Sequence, residues 1–195
     1  MSEHSPRRAD LKRIFAVIAR YADTYCEMER LQGEGAPLQT GDQKTGVIAE
    51  FYGRLYVESQ YPRPGYEVSY AAQGEAWDIE VRRRGRLVRK IQVKGVSAHA
   101  DYDRVSAIHP GWNDLYLLRL DHKLQPEGFW VIDATSVNWA RRKLKHRTMP
   151  KHDKPESGSA EFHDREPKLD ELLAILRQSG AKTRPRASTG RPGAA

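Results

Sequence analysis

EAWDIEVRRRGRLVRKIQVKGVS, residues 75–97, alternates apolar and polar positions on both sides of a glycine turn, and its reading decides the fold. A period of two marks a strand whose two faces meet different surroundings. On the first arm Trp77, Ile79 and Val81 take one face, and Asp78, Glu80 and Arg82 the other. On the second arm Ile91 and Val93 share a face opposite Gln92 and Lys94. With Gly85 in the turn, the two arms predict a β-hairpin over about 76–83 and 87–95. Pairing through that turn brings Asp78, Gln92 and Lys94 to one side near the same sheet end. The tip carries Arg82, Arg83, Arg84, Arg86, Arg89 and Lys90 with no acid among them.

The flanking sequence builds a layered domain around this hairpin. Residues 66–72 predict a third strand, set off from the preceding helix by the breaker YPRPG at 61–65. That helix, about 44–59, has an apolar stripe of Val47, Ile48, Phe51, Leu55 and Tyr56. Glu50 lies at its border beside the small residues Ala49 and Gly53. LYLLRL (115–120) is a nearly continuous apolar run, as expected of a strand covered on both faces. GFWVID (128–133) gives another strand, and SVNWARRKLKHR (136–147), led by a capping Ser136, predicts a short basic helix. The 95–113 segment has no helical period, yet is longer than the roughly dozen residues a parallel crossover needs.

Outside this core, apolar spacing from Leu11 to Met28 predicts a helix over 11–31, N-capped by Asp10, that packs on the main domain or on a partner chain. Residues 32–42 form a glycine- and proline-bearing linker, 149–167 a polar loop, and 168–180 an amphipathic helix ended by Gly180. The last fifteen residues have the composition of a disordered basic tail. The expected organisation is an N-terminal helix and linker (1–42), a core (43–148), a loop and C-terminal helix (149–180), and a tail (181–195).

The 195 residues carry 30% charged side chains and a net charge of +7, a surplus that favours a polyanionic partner, nucleic acid before membrane. No apolar run approaches the roughly 18 residues of a membrane span. The opening MSEHSPRRADLKR lacks the apolar stretch of a secretory signal, so a cytoplasmic location is expected. The single cysteine, Cys26, has no metal-spaced partner and reads as a buried, inert thiol. His99 and His109 do not have the spacing of a zinc site and read as solvated loop residues.

A carboxylate, an amide oxygen and a lysine gathered on one strand pair suit phosphodiester hydrolysis. Oxygen donors hold a hard divalent cation, and an ammonium group stabilises developing negative charge. Glu50 on its helix, Asp78 after an apolar strand start and, after thirteen intervening residues, Gln92 with Lys94 in IQVKG resemble the PD-(D/E)XK nuclease superfamily. The likeness is to its Gln-x-Lys variant, as in Mrr-like restriction enzymes, and spans about 44–133. Trp77 stands where the family pattern has proline, and the family's helix after the motif lysine is missing from 95–113.

The resemblance implies an α/β fold: a restriction-endonuclease-like mixed β-sheet flanked by helices, in the order αβββ…β. It implies Mg²⁺, with Mn²⁺ as a substitute, held by Asp78, Gln92 and Glu50, and Lys94 as the catalytic lysine. DNA is the implied partner, with RNA the related alternative, and the setting is restriction or defence against foreign DNA. Arg82, Arg83, Arg84 and Arg86 on the hairpin, and Arg141, Arg142, Lys143 and Lys145 on the late helix, are the expected phosphate contacts. Competing readings are a junction nuclease acting as a dimer, a non-catalytic nucleic-acid-binding protein, and a complex subunit docked through the terminal helices. The plainest alternative is structural: Asp78, Gln92 and Lys94 face water, and Glu50 pairs with Arg54 one helical turn on.

Overall fold

The computed structural model describes residues 8–34, 44–100, 102–163 and 165–180. Most of the expected linker and the whole expected tail lie outside them. The apolar run at 115–120 forms β5 (Asp114–Leu120), and all seven of its residues are buried. It pairs in parallel with β3 (Arg86–Ser97), from Ile91↔Asp114 to Ser97↔Leu120, and antiparallel with β6 (Pro126–Asp133). On its other side β3 pairs antiparallel with β2 (Ile79–Arg83), which pairs with β1 (Glu67–Tyr70). The result is a five-stranded mixed sheet in the order β1-β2-β3-β5-β6. The β2–β3 hairpin closes through Arg84 (φ 50°) and Gly85 (φ 74°). Two successive left-handed residues give the turn whose twist matches that of paired strands.

One sheet face carries helices. Phe15, Ile18 and Ala22 of α1 (Arg8–Gly33), Ile48, Tyr52 and Leu55 of α2 (Thr45–Gln60), and Leu172 and Leu176 of α3 (Leu169–Gln178) share a core with Ile79, Val81, Ile91 and Val93. The N-terminal helix thus joins the core of its own chain, where Phe15 meets Phe51 and Tyr52 of α2. Alternate sheet residues, including Val96, Leu115, Leu117, Trp130 and Ile132, face a second core. Loop residues complete that core: Ile108, Trp112, Trp139, Leu144 and Phe162. The fold is therefore α/β with a mixed sheet flanked by helices, as expected. The β3-to-β5 crossover is parallel and holds no helix, only β4 (Arg104–Val105), which pairs with β7 (Arg147–Thr148).

The sequence-based expectation fails in several places. Residues 136–147 form no α-helix; a 3-10 turn covers Ala134–Ser136. Leu144 N–H donates to the Ile108 carbonyl at 3.0 Å, and Ile108 N–H returns the bond at 2.9 Å. That bridge takes the amide a helix would direct to Ala140, while Trp139 and Leu144 sink into the second core. Trp77 precedes β2 and does not share the Ile79 face; its indole N–H donates to Glu80 at 3.1 Å. Cys26 is exposed rather than buried.

The sheet edges are short or occupied. β1 has four residues, and on β6 Trp130 bridges to Pro167 while the Phe129 carbonyl accepts Lys168 N–H at 2.7 Å. No helix among the described residues is long and apolar enough to cross a membrane.

Asp114, at the head of β5, gives the fold a pH dependence. Burial lifts its carboxyl to about 6, against the pull of Arg89 at 3.8 Å and aided by repulsion from Asp133. A carboxyl whose folded pKa is raised contributes stability that is full below about pH 4 and lost as pH rises through about 6. Asp114→Asn should therefore melt higher than wild type near pH 8, by about 1–3 kcal/mol in stability. The gain should vanish below about pH 4. Melting curves across that range decide it; a variant that is equally destabilised at both ends contradicts the account.

Candidate active site

The β2–β3 ladder stops before β3 does. Its register ends at Ile79↔Ile91, while β3 runs on to Ser97 beside β5. Asp78 N–H still donates to the Ile91 carbonyl at 2.8 Å. The Asp78 side chain then takes the next place in the ladder, where Oδ2 accepts Val93 N–H at 2.6 Å. The strand end thus aims a half-buried carboxylate at the middle of IQVKG.

Gln92 is 3% exposed. Its Nε2 donates to the Ala76 carbonyl, which fixes which end of the amide is nitrogen. The opposite end, Oε1, is buried and has no hydrogen-bond partner among the described residues. An orphaned buried acceptor costs about 1–3 kcal/mol and calls for a donor or a cation.

Lys94 is half-buried, and its Nζ donates to Ser106 Oγ at 3.1 Å across the crossover. Burial lowers its pKa, with Asp78 and Glu50 pulling the other way. Burial raises the Asp78 carboxyl, opposed by the Val93 N–H and by Lys94. Glu50 is raised by burial first and by Asp78 second, and lowered by Lys94. Glu50, Asp78 and Lys94 therefore lie within reach of one another's charge, although one comes from a helix, one from the bend before β2 and one from β3.

Close helix–strand contact sets Glu50 there. A Cβ on Gly95 would lie 2.5 Å from the Ala49 Cβ, and one on Gly53 would lie 3.2 Å from Val93 Cγ2. Two glycines thus let α2 settle on β3, and Thr45 Oγ1 donates to Ser97 Oγ at 3.1 Å at its start. Arg54 turns to Glu58, at 3.0 Å, and lies 4.7 Å above the Tyr70 ring. Glu80 is engaged by Arg82 at 2.7 Å and by Trp77, whose ring carries the Lys90 ammonium at 3.9 Å.

The basic groups fall at two places. Arg83, Arg84 and Arg86 are exposed at the hairpin tip, while Arg82 is tied to Glu80. At 3.3 Å per residue the tip stands roughly 17 Å along β2 from Asp78. Arg141, Arg142, Lys143 and Lys145 are exposed, but on a loop rather than the expected helix. Ser106 and Gly95 were not singled out by sequence reading: neither carries a periodic signal, and their roles come from contacts across the fold. His99, expected to be solvated, has a fully buried side chain.

Two carboxylates and an amide oxygen form an all-oxygen donor set, the kind a hard divalent cation takes. A neighbouring ammonium can hold an anionic oxygen. No family model matches the sequence, and no curated protein matches it. Six chains of solved structures match. One is a bacterial homing endonuclease, 15% identical, with a TM-score of 0.37 over 73% of this chain and 96% of its own.

Proposed function

We propose that the chain is a metal-dependent endonuclease of the PD-(D/E)XK type that hydrolyses DNA phosphodiester bonds. The observation that carries this reading is the end of the β2–β3 ladder, where the partnerless Gln92 Oε1 accompanies the mutually interacting Asp78, Glu50 and Lys94. That donor set fits Mg²⁺ or Mn²⁺, which when bound would polarise the scissile phosphate and acidify a water. Asp78, fixed by Val93 N–H, and Gln92, fixed by Ala76, are pre-oriented donors; Glu50 completes the set from α2. Lys94, steadied by Ser106, presents Nζ protons to the attacking water and to charge developing on the phosphoryl oxygens. The exposed arginines and lysines hold the backbone without reading sequence. Mrr-like resemblance favours a restriction or defence setting, in the cytoplasm, with α1 or α3 available to a second copy or partner subunit.

The test is incubation of supercoiled and linear DNA, branched DNA and RNA with the full chain in Mg²⁺ or Mn²⁺. Nicking or cutting of DNA that EDTA stops is the expected result. Cutting confined to branched DNA would assign a junction nuclease. Binding without cutting in either metal would overturn catalysis in favour of a binding protein.

A companion result concerns the hairpin tip. Replacing Arg83, Arg84 and Arg86 with Gln removes three phosphate contacts if all are used. The slope of log affinity against log salt should then fall by about 2–3. An unchanged slope would remove the tip from the interface.

A further inference from the structure

We propose that Cys26, Glu29 and His99 form a zinc site that fastens α1 to the segment following β3. The Cys26 thiol, one Glu29 carboxylate oxygen and one His99 ring nitrogen lie within 4.8 Å of one another. Cys26 and Glu29 are three apart on α1 and so share a helix face, while His99 arrives from the crossover.

The His99 imidazole is held as a metal ligand would be. Its side chain is 0% exposed, and its Nε2 lies 2.9 Å from the His122 carbonyl oxygen. A carbonyl only accepts, so Nε2 carries a hydrogen, and in the neutral form of the ring Nδ1 is then a bare lone pair. Nδ1 is buried and has no hydrogen-bond partner among the described residues. Yet Glu29 Oε2 lies 2.9 Å from it, off the line that an N–H···O bond would need. A lone pair set against a carboxylate is repulsive; a cation bound by both makes the arrangement favourable. A ring whose far nitrogen is anchored to a backbone carbonyl is the usual support for a metal-bound histidine.

The donor set selects the metal. Sulfur, imidazole nitrogen and one carboxylate oxygen suit Zn²⁺, whereas Mg²⁺ takes oxygen donors such as those at β3. Cys26 is exposed, which gives the ion an entry path. The exposed His122, whose ring centroid is 5.2 Å from that of His99, or a water, would complete a tetrahedron. Because His99 follows β3 by two residues, zinc here would tether α1 to the strand that carries Lys94.

The test uses the full chain stripped with chelator, then titrated with Zn²⁺, and with Co²⁺ as a spectroscopic probe. One Zn²⁺ per chain is expected, with a thiolate-to-cobalt charge-transfer band and the visible bands of four-coordinate cobalt. Cys26→Ser, an exposed change that keeps the fold, should abolish the charge-transfer band. It should weaken zinc binding by more than about 100-fold, since losing even an outer-shell partner costs about 10- to 100-fold. Glu29→Gln should weaken zinc binding in the same direction, and Asp78→Asn should leave it unchanged. Zinc should raise the melting temperature of wild type but not of Cys26→Ser. Absence of binding, cobalt bound without a thiolate band, or equal zinc affinity in Cys26→Ser would each overturn the site and leave a His99–Glu29 ion pair.

Discussion

Asp78→Asn should lose metal-dependent cleavage while the metal-free chain becomes more stable at neutral pH. The two effects have one cause. Burial already raises the Asp78 carboxyl, so its charge is unfavourable in the folded, metal-free chain. A raised folded pKa gives stability that is present below the unfolded pKa and lost as pH climbs through the folded one. At neutral pH that contribution is gone, and a neutral isostere recovers it. Asparagine can still accept the Val93 N–H through Oδ1, so the ladder end is kept. Cleavage, in contrast, should drop by about 1000-fold or more, the upper end of what one electrostatic group supplies. Mg²⁺ should stabilise wild type by mass action and leave Asp78→Asn unmoved. Lys94→Met should behave alike, with the opposite titration. Its folded pKa is lowered, so its contribution is full only above the unfolded lysine pKa and lost as pH falls through the folded one. At neutral pH its buried charge is again a burden, and removing it should raise the melting temperature as cutting disappears. Variants that lose activity and stability together would mark these residues as structural. Variants that cut like wild type would remove them from the site.

Gly95→Ala should be the most damaging single methyl that can be added near the site. The new Cβ would stand 2.5 Å from the Ala49 Cβ and 3.4 Å from the Thr45 carbonyl oxygen. Neither neighbour is a flexible side-chain end, so α2 itself must move. Overpacking of this kind costs about 1–3 kcal/mol. Because α2 carries Glu50, activity should fall further than the lost stability explains, even at temperatures where the variant is fully folded. The compensating change is Ala49→Gly, which alone costs about 1 kcal/mol in a helix but removes the colliding atom. Denaturation of the two single variants and the double variant should give a favourable coupling of about 0.5–3 kcal/mol. Additive effects would show that the helix and strand are not in this contact.

The parts of this architecture that were legible in the sequence were those encoded by local periodicity. Alternation from Asp78 to Arg82 and from Ile91 to Lys94 located the hairpin, and the unbroken run Leu115–Leu120 marked a strand buried on both faces. Glu50 could be nominated from its place beside Ala49 and Gly53. The contact with Gly95 that brings it near Lys94 is tertiary and left no local mark. The failure at 136–147 has the same origin: its composition favours a helix, but Leu144 finds its backbone partner in Ile108, thirty-six residues earlier. Trp77 was misplaced by extending the strand period one turn too early, across the bend before Ile79. Cys26 and His99 lie seventy-three positions apart, so no spacing rule could have joined them.

The brevity of β1 and the occupation of β6 by Pro167 and Lys168 also limit how copies of the chain can associate. A long bare strand edge is a template on which other chains extend a sheet, the first step of aggregation. Here one edge offers four residues, and the other is interrupted midway by its own chain. Ordered assembly, where it occurs, has to use the helical and loop surfaces. Strand addition, the shortest route from a folded sheet to an aggregate, finds little to build on.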